Sequence, residues 1–348
     1  MNSLKSLETV NVRCSYDNEY SFKNSVWVLT YLNKLNNKDI IINFELDLAC
    51  FKPYQPKILE HIEREEFKFK TNLFEVEYDY EEGTSYGFVY EMIKELNPKY
   101  LKITPFSSSD AGESHLRQYH SISKLNQNYE SVEILGDFIP LYALYRFLQS
   151  PNLHTLEFDL QFHFISSIYD NSKFGGDKTE FDFNKMDNFN FRNFINFQGD
   201  TIGDGINEDD QIYCSFSDQD NSCIEIPPYS MSLWNQCLKL LSTNSTITNL
   251  SITHNCGGEC GWDKNSLFNE NFLNDFMNSL ANNKTIKNLT LDFTLSYYDA
   301  ETDIINLKKS ITSMLDQNTT LESIVIFPTS EFKEISNLTK NTKCKIFT

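Results

Sequence analysis

The sequence predicts an α/β solenoid with a parallel β-sheet on one side and helices on the other. Short stretches with alternating apolar residues, typical of half-buried strands, are followed repeatedly by stretches with the i, i+3, i+4, i+7 apolar spacing of an amphipathic helix. Towards the C-terminus one strand motif also recurs three times with the same pattern of apolar positions. Because one strand–helix unit cannot bury its apolar face alone, consecutive units are expected to stack into a continuous core.

The clearest strand motif occurs three times, as NSTITNLSI at 244–252, NKTIKNLTL at 283–291 and NTTLESIVI at 318–326. Each copy ends in the pattern apolar-x-x-apolar-x-apolar. The same pattern begins earlier in the chain at Leu7, Ile41, Leu73 and Leu153, and weaker copies surround Leu101/Ile103, Val132/Ile134, Ile224/Ile226 and Cys344/Ile346. Equivalent buried residues of separate parallel strands are then predicted to be Val76, Leu156, Leu250, Leu289 and Ile324.

Helical spacing fills the stretches between these strands. The predicted helices lie within 28–35, 86–96, 141–148, 234–241, 273–280 and 304–315. Pro140 precedes the third of them, and proline is favoured at a helix start because its missing N–H would have no partner there. Short strands therefore alternate with helices along most of the chain.

The Asn-x-Thr-Ile/Leu-x-x-Leu/Ile-x-Leu/Ile element at 244, 283 and 318 resembles the leucine-rich-repeat family, specifically its ribonuclease-inhibitor-like class. The resemblance implies a right-handed solenoid of about nine or ten irregular repeats, with a concave parallel sheet and convex helices. Two features depart from the family pattern. The asparagine that closes the strand turn occurs once, at Asn255, and the strand motifs are spaced by about 24 to almost 40 residues, against a usual ~20–29.

Residues 161–220 interrupt the repeats with Gly175-Gly176, Asp-rich stretches and a phenylalanine run from Phe181 to Phe197. Alternation at 179–183 and 212–216 suggests a short antiparallel excursion, and loop composition at 171–178 and 199–210 predicts the greatest mobility there. The phenylalanines either anchor the segment to the solenoid or form an exposed docking patch. We therefore predict one domain over 1–348 with an irregular insertion at about 161–220.

The chain contains 30 Lys and Arg against 49 Asp and Glu, a formal net charge of −19. Such an excess of carboxylates repels phosphate backbones and anionic lipids, so neither nucleic acid nor a membrane is expected as a partner. The N-terminal residues lack the apolar core of a secretory signal, and no segment reaches the roughly 18 apolar residues of a membrane span. We expect a cytoplasmic protein, with the nucleus as a further possibility.

Catalytic motifs for phosphate loops, zinc proteases and serine hydrolases do not occur, and the six histidines are dispersed. Cys256 and Cys260, after His254, have a wider spacing than a structural zinc site and no second pair follows. The acidic loop from Asp204 to Asp210 lacks the EF-hand pattern. We expect no enzymatic activity and no cofactor; the alternative is a metal-dependent enzyme that uses the insertion at 161–220.

Side chains alternate across a strand, so the polar residues between the apolar ones should share the concave face. Those of the earlier strands are acidic: Glu45, Asp47, Glu75, Glu77, Asp79, Glu133, Glu157 and Asp159. Those of the later strands are mostly neutral: Asn249, Ser251, Asn288, Thr290, Asp292 and Ser323. Parallel neighbours lie about 4.8 Å apart, so stacked carboxylates are unfavourable unless solvent, a cation or a basic partner offsets their repulsion.

The acidic concave residues predict a non-enzymatic scaffold for protein–protein interaction, whose partner is a protein or peptide with a basic surface. The family resemblance implies two related alternatives, an enzyme inhibitor or a GTPase-activating regulator. Fold alone does not choose among these functions.

Overall fold

A single ten-stranded sheet organises the chain, and its strand order follows the order of the strands in the sequence. The computed structural model describes residues 9–14, 41–47, 70–78, 86–105, 122–125, 128–160, 162–167, 169, 231–253, 269–293, 300–327, 332–340 and 343–347. Every neighbouring pair of strands is parallel. The predicted α/β class with a parallel sheet is confirmed.

The strands are β1 Thr9–Cys14, β2 Ile41–Asp47, β3 Lys70–Tyr78, β4 Tyr100–Pro105, β5 Ser131–Phe138, β6 Thr155–Asp159, β7 Asn249–Thr253, β8 Asn288–Asp292, β9 Ser323–Phe327 and β10 Lys345–Phe347. The helices within the described ranges are α1 Tyr86–Leu96, α2 Leu141–Leu148, α3 Phe162–Ser167, α4 Met231–Thr243, α5 Glu270–Asn282, α6 Ala300–Gln317 and α7 Ile335–Leu338. Five of these helices coincide with predicted ones, while the prediction at 28–35 lies outside the described residues.

Local chemistry sets the helix ends. Pro140 is the N-cap of α2, in an extended conformation that proline's fixed φ suits. At the start of α5 the Asn269 side chain accepts a hydrogen bond of 2.9 Å from the backbone N–H of Asn271, which would otherwise lack a partner. Helix α1 ends where Asn97 adopts a left-handed conformation with φ of 45°, followed by Pro98.

The inward residues of the strands and the apolar faces of the helices form one continuous core. Its largest fully buried side chains include Trp234, Tyr129, Tyr142 and Phe74. Burying each such side chain contributes about 1.5–3 kcal/mol, so the core supplies most of the stability of the fold. One face of the sheet is therefore buried against the helices, and the other face carries mainly polar side chains.

The predicted equivalence of buried strand residues holds for β6 to β9. Leu156, Leu250, Leu289 and Ile324 pair in register across these four strands, and each is at most 2% exposed. The strand motif therefore marks the same core position in consecutive units.

In β3 the predicted equivalence is wrong by two residues. Val76 is buried, but it pairs with Ile103, whereas Phe74 pairs with Leu101 in the row that continues to Leu156. A shift of two leaves every side chain on the same face, so the alternation of apolar residues cannot detect it. The register of β3 against β2 also shifts, at a bulge near the start of β3.

Three turns between a helix and the next strand are each held by one asparagine, Asn244, Asn283 or Asn318. The side-chain Oδ1 accepts hydrogen bonds of 2.7–3.0 Å from the backbone N–H groups two and three residues later. The side-chain Nδ2 donates at 2.6–2.9 Å to a carbonyl in the last turn of the helix one unit earlier. These turn asparagines pair backbone groups that would otherwise be buried without partners, which explains the asparagine of the repeated motif.

The sheet continues directly from β6 to β7 across the insertion. These two strands pair although residues 160–248 separate them in the chain. A strand at Ile224 and Ile226 therefore has no place between β6 and β7, and these two residues lie outside the described ones. The predicted antiparallel excursion, the phenylalanine run at 181–197 and the mobile stretches at 171–178 and 199–210 also lie outside them.

The first residues of the insertion are anchored to the core. Phe162 of α3 is fully buried, with ring centroids 5.7 Å from Phe272 and 5.4 Å from Phe276. The Tyr169 hydroxyl accepts a hydrogen bond of 3.0 Å from the Trp234 indole N–H and donates one of 3.0 Å to Asp275. The chain that enters the insertion thus lies beside the helix that follows it.

Candidate functional site: the polar face of the sheet

The sheet face opposite the core, called the polar face from here on, carries a central row of side chains in register across all ten strands. The row consists of Arg13, Glu45, Glu75, Lys102, Glu133, Glu157, Ser251, Thr290, Val325 and Phe347. Its composition changes from charged through neutral to apolar along the sheet.

Most of the predicted acidic residues that the structure describes lie on the polar face and are half-exposed. Glu45, Glu75, Glu133 and Glu157 belong to the central row, and Glu77 lies in the next row, in register with Thr104. The backbone of Asp47 is part of β2, but its side chain lies outside the described residues, as does the whole of Asp79.

Asp159 departs from the predicted exposed set. It is 4% exposed, so its carboxylate is not accessible to a partner. Directly after Asp159 the chain turns into the core, where Leu160 and Phe162 are fully buried, and this turn ends the regular alternation. The alternation rule fails here because it applies to the body of a strand and not to its last residue.

Two basic residues of the polar face were missed by the sequence prediction. The Lys102 ammonium lies 2.5 Å from the Glu75 carboxylate, and the Arg13 guanidinium lies 3.6 Å from Glu45. The hydrogen bond to Glu75, together with nearby carboxylates, raises the pKa of Lys102 above its ordinary value. The position of Lys102 between the apolar Leu101 and Ile103 already placed it on this face.

Glu133 and Glu157 are the two carboxylates of the central row that Arg13 and Lys102 do not bind in a salt bridge. They are register neighbours on β5 and β6. Glu133 accepts a hydrogen bond of 3.3 Å from the Ser131 hydroxyl, and Glu157 accepts one of 3.0 Å from Ser251. Neither forms a salt bridge with a residue in the described part of the chain. Their two neighbouring negative charges therefore attract a cation.

Polar side chains at the start of the later strands bind one another. The Asn249 amide donates to the Thr155 hydroxyl at 3.1 Å, and the Asn288 amide donates to Asn249 Oδ1 at 2.7 Å. The Ser323 hydroxyl continues the ladder to Asn288 Oδ1 at 2.6 Å. These contacts lock the side chains in place, so the neutral part of the polar face is rigid.

A second polar surface, an open groove of about 820 Å³, lies at the edge of the sheet where the earlier strands begin. Among its lining residues, Lys99 lies 2.5 Å from Glu130, which also accepts a hydrogen bond of 3.0 Å from the Tyr100 hydroxyl. The hydrogen bonds from Lys99 and Tyr100 lower the pKa of the Glu130 carboxyl. The charges of this groove are satisfied within the chain, which makes it a weaker candidate than Glu133 and Glu157.

Metal binding and nucleophilic chemistry find no support in the described ranges. These contain no group of three or more His, Cys, Asp or Glu side chains placed to hold a metal ion. Cys237 is buried, and burial raises the pKa of its thiol, which suppresses the reactive thiolate. Two segments that the sequence did not favour as metal sites, Cys256–Cys260 with His254 and Asp204–Asp210, lie outside the described residues.

Membrane insertion has no candidate helix, since none in the described ranges combines the length and apolarity needed to cross a bilayer.

A scan against protein-family models matches no family, and a search of curated proteins finds no sequence match.

Proposed function

We propose that the chain is a non-enzymatic interaction module that binds a basic protein segment on its polar face, through Glu133 and Glu157. The observation that carries the proposal is the pair of neighbouring carboxylates that form no salt bridge with Arg13 or Lys102, although Lys102 lies in register beside Glu133. Two charges one strand spacing apart repel by roughly 1–3 kcal/mol for effective dielectric constants between water and a protein surface. A lysine or arginine from a partner would relieve this repulsion.

The geometry of the pair favours a guanidinium or an ammonium as the bound group. Each carboxylate already accepts a hydroxyl hydrogen bond, from Ser131 or Ser251, which orients it and leaves a second oxygen for the partner. Hydrogen bonds to charged groups contribute about 1.5–3 kcal/mol each, so two such contacts suffice for a weak, specific attachment. Further affinity must come from other residues of the same face.

For the architecture we propose a right-handed leucine-rich-repeat-like solenoid with the polar face on its concave side. The support is the sheet whose strands follow chain order, the helices between successive strands and the shared asparagine of three turns. Connections between parallel strands of one sheet are right-handed in roughly 98% of cases, which sets the expected hand. An experimental structure with left-handed connections would contradict this architecture.

The test combines photo-crosslinking with charge removal. A photo-crosslinking amino acid in place of Leu135, which lies two residues after Glu133 on the same face of β5, should capture a basic partner from native cell extract. Glu133→Gln with Glu157→Gln should weaken this capture about tenfold or more, and raising the salt concentration should weaken it too, since both remove charge attraction. The free energy of unfolding of this double variant should be equal to that of the native chain or higher.

The matched control removes two carboxylates from helix starts, by Glu270→Gln with Glu334→Gln, and should leave capture intact. A crosslinker in place of the exposed Ser313 on α6 should not capture the same partner. Equal losses from both pairs of substitutions would show that net charge, and not the polar face, governs binding. Undiminished capture by the Glu133 and Glu157 variant would refute the proposed site.

A further inference from the structure

The last two strands end the polar face in an apolar patch. Phe327 is 40% exposed and Phe347 is 52% exposed, and Val325, on the same strand as Phe327, is half-buried. Val325 and Phe327 share one face of β9 by alternation, and Phe347 pairs in register with Val325. Two phenylalanines exposed on one face keep considerable apolar surface in water, an arrangement typical of a binding surface.

The apolar patch is continuous with the two carboxylates of the proposed site. Glu157, Ser251, Thr290, Val325 and Phe347 follow one another in register from β6 to β10. Adjacent strands lie about 4.8 Å apart, so the apolar patch begins roughly 14–19 Å from Glu157. The two residues in between are small and uncharged, which leaves a path along which a partner chain can lie.

The charges at the two ends of this path favour one orientation of a bound segment. Glu133 and Glu157 mark one end, whereas Lys345 is exposed on β10 beside the apolar patch, in register with Ser323. A basic residue of the partner is attracted to the first end and repelled from the second. The partner segment can therefore lie in one orientation only, with its apolar residue at β9 and β10.

We infer that the partner is an extended segment with a large apolar side chain that binds against Val325, Phe327 and Phe347, and a lysine or arginine that binds Glu133 and Glu157. At about 3.3 Å per extended residue, the two groups are separated by roughly four to six residues. The inference rests on the proposed function and adds to it the composition, spacing and direction of the bound segment.

Capped, fluorescently labelled peptides test the inference. Each contains one phenylalanine and a Lys-Arg pair, separated by serine–glycine spacers of two, five or ten residues. Fluorescence anisotropy should show tightest binding for the five-residue spacer, because the short one cannot reach both groups and the long one costs more chain entropy. Replacing the peptide phenylalanine by alanine should weaken binding about tenfold.

Substitutions in the chain separate the two ends of the path. Phe327→Ser with Phe347→Ser should weaken binding of the five-residue peptide to a similar degree at low and high salt. Glu133→Gln with Glu157→Gln should weaken it mainly at low salt. Ile305→Ser, at a residue 59% exposed on α6, is the matched control and should change neither affinity nor circular dichroism.

The outcomes distinguish this inference from the proposed function. Binding that needs Glu133 and Glu157 but ignores spacer length and both phenylalanines leaves the proposed function standing and overturns the inference. Peptide binding that is insensitive to all four residues, or absent at every spacer length, overturns both. Self-association in sedimentation velocity that Phe347→Ser abolishes would assign the apolar patch to a second copy of the chain and also overturn the inference.

Discussion

At the scale of single residues, each turn asparagine holds several backbone groups at once. Asn318, which is 2% exposed, accepts hydrogen bonds from the backbone N–H groups of Thr320 and Leu321 and donates to the carbonyls of Leu280 and Asn283. Removing the amide takes away these four hydrogen bonds, and only the Asn283 carbonyl keeps another side-chain donor among the described residues, the Thr320 hydroxyl. Leaving a buried polar group unpaired costs about 1–3 kcal/mol, so several such groups together exceed the effect of a typical surface change.

Asn318→Ala is therefore expected to lower the free energy of unfolding by about 2–4 kcal/mol, measured by urea denaturation. Ser150 gives the contrast, since it occupies the equivalent place before β6 and its buried hydroxyl has no hydrogen-bond partner in the described residues. Ser150→Ala should be neutral or slightly stabilising, because it removes an unpaired buried polar group. Equal destabilisation by both changes would show that packing, and not the amide, holds these turns.

At the scale of secondary-structure elements, the alternation of apolar and polar residues predicted which face of the sheet each side chain lies on, but not the register between strands. The faces were predictable for Glu45, Glu75, Glu133 and Glu157, because a two-residue period is insensitive to a shift of two. Register was misassigned in β1 as well as β3, since Val12, and not Val10, pairs with Phe44. Register depends on the geometry of the connections between strands, which the alternation of apolar residues does not encode.

The candidate site was predictable in part for the same reason. The acidic face followed from alternation, but the pairing of Glu75 with Lys102 required the register of β3 against β4. The burial of Asp159 and the pairing of β6 with β7 across the insertion depend on contacts between residues far apart in the chain. Local sequence carries no signal for such contacts, so the selection of Glu133 and Glu157 from the acidic set needed the structure.

The junction between β4 and β5 predicts a pH-dependent contribution to stability. Hydrogen bonds from Lys99 and Tyr100 lower the pKa of Glu130 in the folded chain below its unfolded value. The ionised Glu130 carboxylate therefore stabilises the fold at pH values above its pKa in the unfolded chain. This stabilisation is lost as the pH falls through its pKa in the folded chain. Glu130→Gln should thus be destabilising at neutral pH, and its difference from the native chain should vanish in acid.

Urea denaturation over a series of pH values measures this pH dependence, by comparing the midpoints of the native chain and Glu130→Gln. Tyr100→Phe removes one of the two side-chain donors, so it should produce a smaller loss with the same pH dependence. A difference that persists unchanged into acid would show that Glu130 contributes through packing rather than through its charge.

At the scale of the whole molecule, the insertion is separable from the sheet. Strand β6 pairs with β7 along its full length, and the contact of Tyr169 with Trp234 joins the two ends of the intervening segment. A linker of about eight residues spans up to roughly 26 Å and can replace residues 171–229 without moving either end. Each halving of a flexible loop lowers its closure cost by about 0.6 kcal/mol.

Deletion of 171–229 with such a linker should therefore leave a folded chain whose unfolding free energy is equal or up to about 2 kcal/mol higher. Circular dichroism and urea denaturation provide the measurement. Capture of a partner through the crosslinker in place of Leu135 should also persist, since the deletion retains all ten strands of the sheet. A deleted chain that fails to fold would show that the segment supplies part of the core.

The turn asparagines also have a consequence for covalent modification. Asn244, Asn283 and Asn318 each begin an Asn-x-Ser/Thr sequon, whose acceptor for an N-linked oligosaccharide is the same Nδ2 atom that donates to the preceding unit. Asn283 is fully buried and Asn318 nearly so, and a sugar on either would have to occupy the space between stacked units. Glycan attachment and folding are therefore mutually exclusive at these two asparagines: a chain glycosylated there during synthesis could not close its last turns, and the folded chain offers no acceptor.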